Sequence, residues 1–536
     1  MYNGTEPRVY GVTKSARPVE ATSQERYDKT DMENVTYRNP ILRGFRPDPS
    51  FCFVGDDCYL VNSTFEFFPG VPVWHSRDLI RWQQIGACLT RGSQLDLRAS
   101  RISGGIFAPT IRYHNGRFYM ITTNTSSKGN FFVYTDDIRG EWSEPVWIDH
   151  RGIDPSLFFD EDERVYYCGT ADDPNGKAGI VLFQIDIKTG GVIGDKRIIS
   201  HGITGKYPEG PHLYKINDWY YLMMAEGGTE YGHTETIFRS RDIAGPYESC
   251  PFNPILTNRD EMYNQIQCCG HADIAQDGNG NWWMVCLGIR RLLNGPLLHN
   301  LGRETFLAPV TWEDGWPRVA GDGIIRETMN GPLPQGETER PGADFSDNFS
   351  SAVLAPEWTF VRNTERGRFH VESGRLRIRG SSDTLNDYEP AFVGIRQTEF
   401  EMEAEVAVTM ESTGENARAG LCVYYSKENH YELYLQWLNG KLYAALSRKI
   451  MDLEAVTGRL YLENIADGPV TLRVRADASA YVFSIVGKGG ESIIGTGCTA
   501  GLCTEGTVTM TFTGAFIGLF AVDTAADFRS FRLVAR

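Results

Sequence analysis

The chain has 536 residues, too many for a single hydrophobic core, and its formal charge of −16 argues against nucleic acid and anionic membranes as partners. Aromatic residues make up 12% and there are 56 glycines, while sustained helical periodicity is scarce. That composition suits many short strands joined by tight turns, and no apolar run is long enough for a membrane-spanning helix.

Residues 1–37 read as a polar N-terminal extension without the apolar segment of a secretory signal. The eleven cysteines are scattered, with no CxxC pair, and adjacent Cys268-Cys269 suits neither metal-ligand spacing nor an easy disulfide. Reduced, mostly buried thiols in a cytoplasmic protein are the expectation.

From residue 48 onward one pattern returns five times: "DPSFCFVGDDCYLV" (48–61), "APTIRYHNGRFYMI" (108–121), "DPSLFFDEDERVYY" (154–167), "GPHLYKINDWYYLM" (210–223) and "HADIAQDGNGNWWM" (271–284). Each is a β-hairpin by its period-two alternation about a polar turn. Outer strand signals such as "VPVWHSRDLIRWQQIG" (71–86) and "ETIFRSRDIAGPYES" (235–249) lie between them. Five hairpins with five outer pairs predict a five-bladed β-propeller over 38–330. The innermost strands of a propeller surround a channel, so the five repeat starts should converge at its mouth. Asp48 and Asp154 hold the same place in two blades, Glu209 stands one residue before it in a third, and His271 opens the fifth.

Three carboxylates around one cavity repel one another and lose hydration, and folding alone gives no reason to gather them. Glycoside hydrolysis does: an acid protonates the leaving oxygen while a base activates water on the opposite ring face. A channel ringed by separate blades suits the wider spacing of an inverting pair, with the third carboxylate holding up the acid's pKa by repulsion. A sugar-binding propeller is the non-enzyme alternative.

Several phrases carry a resemblance: "NPILRGFRPDPS", "SGGIFAPTI", "EGPHLYK", "AEGGTEYGHT", "CGHADI", "LGRETFL" and the terminal "FTGAFIGLFAVDTAADFRSFR". On these, the chain resembles glycoside hydrolase family 43, in its β-xylosidase and α-L-arabinofuranosidase branch. The resemblance implies Asp48 as general base, Asp154 as pKa modulator, Glu209 as general acid and Arg303 as a substrate-contacting arginine. His271 is either a satisfied core histidine or a ligand for water or calcium; no oxygen-ligand cluster accompanies it, and no cofactor is required. Phe65, Phe68, Trp74, Ile106 and Phe107 are expected in the walls, with Trp74 either stacking on sugar or packing in its blade. "DDPNG" (172–176) is similar to the nucleophile motif of related fructosidases, but it follows a strand and opens no repeat, so it reads as a turn.

Residues 331–343 form a linker rich in Pro, Gly and charge, and 344–536 alternate as a second all-β domain, a two-sheet β-sandwich. The resemblance makes it a jelly-roll, concanavalin-like domain whose loop narrows the pocket, with Phe512 or Phe516 of "TFTGAFIG" as the aromatic. A capped pocket implies exo action, releasing β-D-xylose from xylo-oligosaccharide ends. The alternative is removal of α-L-arabinofuranose branches from arabinoxylan or arabinan, and both activities can coexist. Relatives of this kind form dimers or tetramers.

Overall fold

The computed structural model describes residues 34–292, 298–334, 341–363, 365–463, 468–507 and 510–536. Most of the expected extension (1–33) and the centre of the expected linker (335–340) therefore lie outside the described residues. Val35–Arg38, at the junction of extension and propeller, is a strand antiparallel to Thr328–Gly331. Tyr37 anchors it: the ring is buried and its hydroxyl donates to the Leu307 carbonyl at 3.0 Å.

The five hairpins become the inner strands of five four-stranded antiparallel sheets, each built from strands in chain order, blade I passing over the short strand Phe67–Phe68. Blade I runs Ser50–Val54, Asp57–Val61, Gly70–Ser76 and Gln83–Leu89; blade II runs Thr110–His114, Arg117–Asn124, Gly129–Thr135 and Val146–Trp147. Blade III runs Ser156–Phe159, Val165–Asp172, Ala178–Ile185 and Val192–Ser200. Blade IV runs Glu209–Ile216, Trp219–Glu226, Thr234–Ser240 and Glu248–Ser249; blade V runs Ile266–Gln276, Trp282–Arg290, Glu304–Glu313 and Trp316–Val319. The five innermost strands contact one another in cyclic order, blade V returning to blade I, so the ring is closed. The turns follow from local chemistry: Asn115 (φ 49°) and Gly116 (φ 83°) supply the left-handed pair that a two-residue hairpin needs. "DDPNG" is likewise a turn, with Asp173 Oδ1 accepting the backbone N–H groups of Asn175 and Lys177.

Below the mouth, strand period two brings a second ring of side chains into the channel. There Asp273 accepts from Ser50 Oγ (2.6 Å), Tyr214 Oη (2.7 Å) and Arg112 Nη1 (2.7 Å), which ties blades I, II, IV and V together. Burial alone would raise the Asp273 carboxyl. The Arg112 charge with these hydrogen bonds overrides it and holds the group down to about 2. This ion pair and its hydrogen bonds span four of the five blades below the cavity.

The C-terminal domain is a sandwich of two large sheets. Val470–Ala476 shows how the sequence specifies it: Val470, Leu472, Val474 and Ala476 point inward while Thr471, Arg473 and Arg475 point out. One sheet does not end within its own domain. Its edge strand Thr359–Val361 pairs with Phe67–Phe68, a short strand from the blade I loop. The domain boundary is thus crossed by a ladder and by a stacked pair, Phe67 on Phe516, with ring centroids 4.3 Å apart. All eleven cysteines are free thiols, and every one but Cys498 is buried.

Candidate active site

A cavity of about 90 Å³ opens at the channel mouth, lined by Asp48, Ala108, Asp154, Glu209 and His271, one from each blade, with Phe65, Phe107, Ile153, Thr229, Arg303 and Phe512. Its size is that of several waters at on the order of 10–15 Å³ each. Asp48 and Asp154 enter with the same strained backbone, φ 51° and 55°, two residues before their strands, and His271 sits at φ 48° on an irregular stretch of its strand. Non-glycine residues hold such angles at a cost of about 1–3 kcal/mol each, and such strain clusters at functional sites.

Asp48, 4% exposed, is held from both sides. Arg303 Nη1 donates to its Oδ1 at 2.9 Å, and the Ser63 hydroxyl donates to its Oδ2. Arg303 is fixed in turn, donating to Thr229 Oγ1 (3.2 Å) and the Phe512 carbonyl (3.4 Å), with its guanidinium carbon 5.4 and 5.3 Å from the centroids of the Phe65 and Phe512 rings.

Glu209 stands in the opposite condition. Among the described residues its carboxyl accepts no hydrogen bond, and its nearest basic atom is His233 Nε2 at 4.0 Å. Burial first, and then the charge of Asp48, push it up to about 7, against the pull of Arg303. Asp154 is pushed well above the usual carboxylate range by burial, then by Glu209 and Asp48, although Arg303 and the Gly210 N–H oppose this. The pair titrates jointly. Repulsion by the third carboxylate was the expected cause of the raised acid; dehydration is the larger one.

His271 Nδ1 lies 3.9 Å from Asp48 Oδ1, and burial pushes its ring toward the neutral form. Gly210 (φ 55°) makes room for it, since a Cβ there would stand 2.7 Å from His271 Nε2. Among the described residues no group of three His, Cys, Asp or Glu side chains is placed to hold a metal. Calcium takes six to eight oxygens, and the acid facing this imidazole is already engaged by Arg303 and Ser63. An ion beside this imidazole would draw most of its ligands from water.

Four expected wall residues lie elsewhere. Trp74, on the third strand of blade I, points away from the channel and packs under Arg46, whose guanidinium carbon is 4.8 Å from the ring centroid. Only the first strand of a blade faces the axis, so Trp74 does not stack on sugar. Ile106 is fully buried and braces the wall from behind, exchanging backbone hydrogen bonds with Phe65 at 2.8 and 3.0 Å. Phe68 belongs to the ladder joining the domains, and Phe516 begins a sandwich strand and packs against Phe45 and Phe67 at the domain boundary. Phe512 lies in the loop before that strand, where Ser103 Oγ accepts its N–H at 2.9 Å. The loop packs backbone to backbone on the propeller: a Cβ on Gly514 would stand 2.3 Å from the Leu301 carbonyl oxygen. Ser63, Thr229 and His233, which shape the acid groups, carried no signal that distinguishes them from other loop residues.

The model of glycosyl hydrolases family 43 matches residues 37–317. The chain belongs to this family. A second model, the beta xylosidase C-terminal concanavalin A-like domain, matches residues 346–533. The family 43 chain is 43% identical over 497 residues to a non-reducing end alpha-L-arabinofuranosidase of Bacteroides ovatus, covering 91% of each. It is 38% identical over 505 residues to a xylosidase/arabinosidase of Butyrivibrio fibrisolvens, covering 91% of this chain and 96% of the relative. Among solved structures it resembles a xylan beta-1,4-xylosidase from Bacillus halodurans with a TM-score of 0.88 and 33% identity, covering 93% of this chain and all of that one. As a family 43 glycoside hydrolase it acts on glycosidic bonds of oligosaccharides, and the non-enzyme reading is set aside.

Proposed function

We propose that this hydrolase removes single β-D-xylosyl residues from the non-reducing ends of xylo-oligosaccharides with inversion, and accepts α-L-arabinofuranosides as second substrates. The observation that carries this reading is the contrast between two carboxyls in one cavity: Asp48, which accepts from Arg303 and Ser63, and Glu209, which accepts no hydrogen bond among the described residues and is pushed up to about 7, chiefly by burial. Glu209 gives that proton to the leaving oxygen as the glycosidic bond breaks. Asp48 takes a proton from the water that bonds to the anomeric carbon on the opposite face. Asp154 and Arg303 orient the sugar, while burial and the Asp48 charge hold the proton on Glu209.

The exo reading rests on the closed end of the cavity under Phe65, Phe107 and Phe512. On the other side a groove of about 470 Å³ begins at Ile153 and Glu209 and runs past His150, Arg151 and exposed Tyr207. It receives the departing chain beside the acid. Phe512→Ala opens the capped end, and losing the ring contact is worth about 1–1.5 kcal/mol. The KM for xylobiose should rise about tenfold with a much smaller change in kcat. An unchanged KM would remove Phe512 from the sugar site.

The arabinofuranosidase reading is favoured by one observation, the name of the Bacteroides ovatus relative. Initial rates on p-nitrophenyl β-D-xylopyranoside and α-L-arabinofuranoside decide between them. We expect measurable kcat/KM on both with the xyloside ahead. The reverse order makes arabinofuranose the natural leaving residue, and the absence of turnover on either overturns the pentosidase assignment.

A further inference from the structure

Where blade I meets the sandwich, away from the carboxylates, a second cavity of about 180 Å³ is walled by Arg43, Arg46, Trp74 and Trp82 from the propeller side and by Arg396 and Thr398 from the sandwich. Its hydrogen-bonding groups do not balance. Among the described residues, Arg46 Nε, Arg396 Nε, Trp74 Nε1 and Thr398 Oγ1 are all buried and without a partner. Three of these can only donate, and the hydroxyl can donate as well. The side chains of Arg396 and Trp74 are more than nine-tenths buried, at 6% and 5% exposure.

The charges do not balance either. Arg43 on the same wall is paired with Glu399 at 2.7 Å, but among the described residues neither Arg46 nor Arg396 has a carboxylate within 4.0 Å. Arg46 donates to the Arg43 carbonyl, and Arg396 Nη1 donates to Thr359 Oγ1 at 3.0 Å. Burial, and then the charge of its neighbour Arg46, push the Arg396 guanidinium down to about 9. The nearby acids are engaged or set back: Glu304 is bonded to Arg290 at 2.7 Å, Asp344 accepts the Ala535 N–H at 3.0 Å, and Glu357 lines the rim. Glu304 and Glu357 act on Arg46 only from a distance, without an ion pair, and four buried donors without an acceptor add to the cost of burying the cations.

We propose that this cavity binds a small oxyanion, a phosphate or a carboxylate, whose oxygens accept from Arg46, Trp74, Arg396 and Thr398 and so bridge the propeller and the sandwich. Guanidinium groups suit such ligands because their planar donors match two oxygens at once. The bridge also reaches the loop that carries Phe512, since Gln397 N–H, next to Arg396, donates to the Ala515 carbonyl at 2.9 Å.

The test is thermal unfolding of the full chain in sodium phosphate, in sodium glucuronate and in sodium chloride at equal ionic strength. We expect a saturable rise in Tm of about 2–4 °C with at least one of the first two and none with chloride. Saturation by phosphate alone points to a free or esterified phosphate, and saturation by glucuronate to a sugar acid. Arg396→Met should abolish the rise while hydrolysis of the aryl xyloside stays within twofold of wild type. Thr398→Val, which keeps both guanidinium groups, should weaken it several-fold and serves if the first variant does not fold. Equal Tm values in all three salts, or a rise that both variants retain, overturns the site.

Discussion

Glu209→Gln should lower kcat on xylobiose by about 10²–10⁴-fold, the range of a lost general acid. The amide keeps the shape of the carboxyl but has no proton to give. The loss should be much smaller on aryl xylosides with acidic phenols, whose oxygen leaves without protonation. Wild-type kcat/KM should fall as pH rises through about 7, where Glu209 releases its proton, and this alkaline limb should be absent from the residual rate of the variant. Stability should fall over the same pH range. The folded chain holds the Glu209 proton to about 7, whereas the unfolded chain releases it near the ordinary glutamate value of 4.5. Between those values the native state binds more protons than the unfolded one, so native stability declines as pH rises and remains lowered above 7. Glutamine carries no such charge, so the variant should melt above wild type at pH 8 and match it near pH 4. Full turnover by the variant, with an unchanged alkaline limb, would falsify the assignment of the acid.

The propeller was legible because its signals are local. Alternation about turns such as His114-Asn115-Gly116 marks each hairpin, and a repeated phrase places Asp48 and Asp154 at equivalent points without any knowledge of distance. Glu209 followed because it stands one residue from the same position in its own repeat. What alternation does not encode is which strand of a blade faces the axis. Trp74 was for that reason open to two readings, and only the strand order separates them. The choice between Phe512 and Phe516 turned on where a strand begins. Ser63, Thr229 and His233 act through contacts made only once the chain has closed. The cause of the raised Glu209 was hidden for the same reason: charges can be counted along a chain, but dehydration is a property of the assembled cavity. The unbalanced donors at the domain joint are further still from the sequence, since Arg46 and Arg396 lie 350 positions apart.

Asp48→Asn should depress turnover at least as far as the acid variant, and better leaving groups should not restore it. Water must still be activated however readily the aglycone departs, so the ratio between activated and natural substrates should stay close to that of wild type. Azide, which needs no base, should restore rate on an activated aryl β-xyloside and give the α-xylosyl azide, the product of inversion. The substitution also disturbs the electrostatics. Arg303 loses its bonded anion at 2.9 Å, and removing one partner of a buried pair costs about 3–5 kcal/mol when nothing replaces it. Here Asp154 can replace it in part: the Asp48 charge is among the causes that keep Asp154 protonated, and Arg303 favours its ionisation. The loss of stability should therefore fall below that range and shrink as pH rises and Asp154 ionises. The Asp48 charge also helps to raise Glu209, so the remaining activity should lose its acid at a lower pH than wild type. A variant within tenfold of normal turnover, or azide rescue that yields the β-azide, would place the base outside Asp48 and take the inverting mechanism with it.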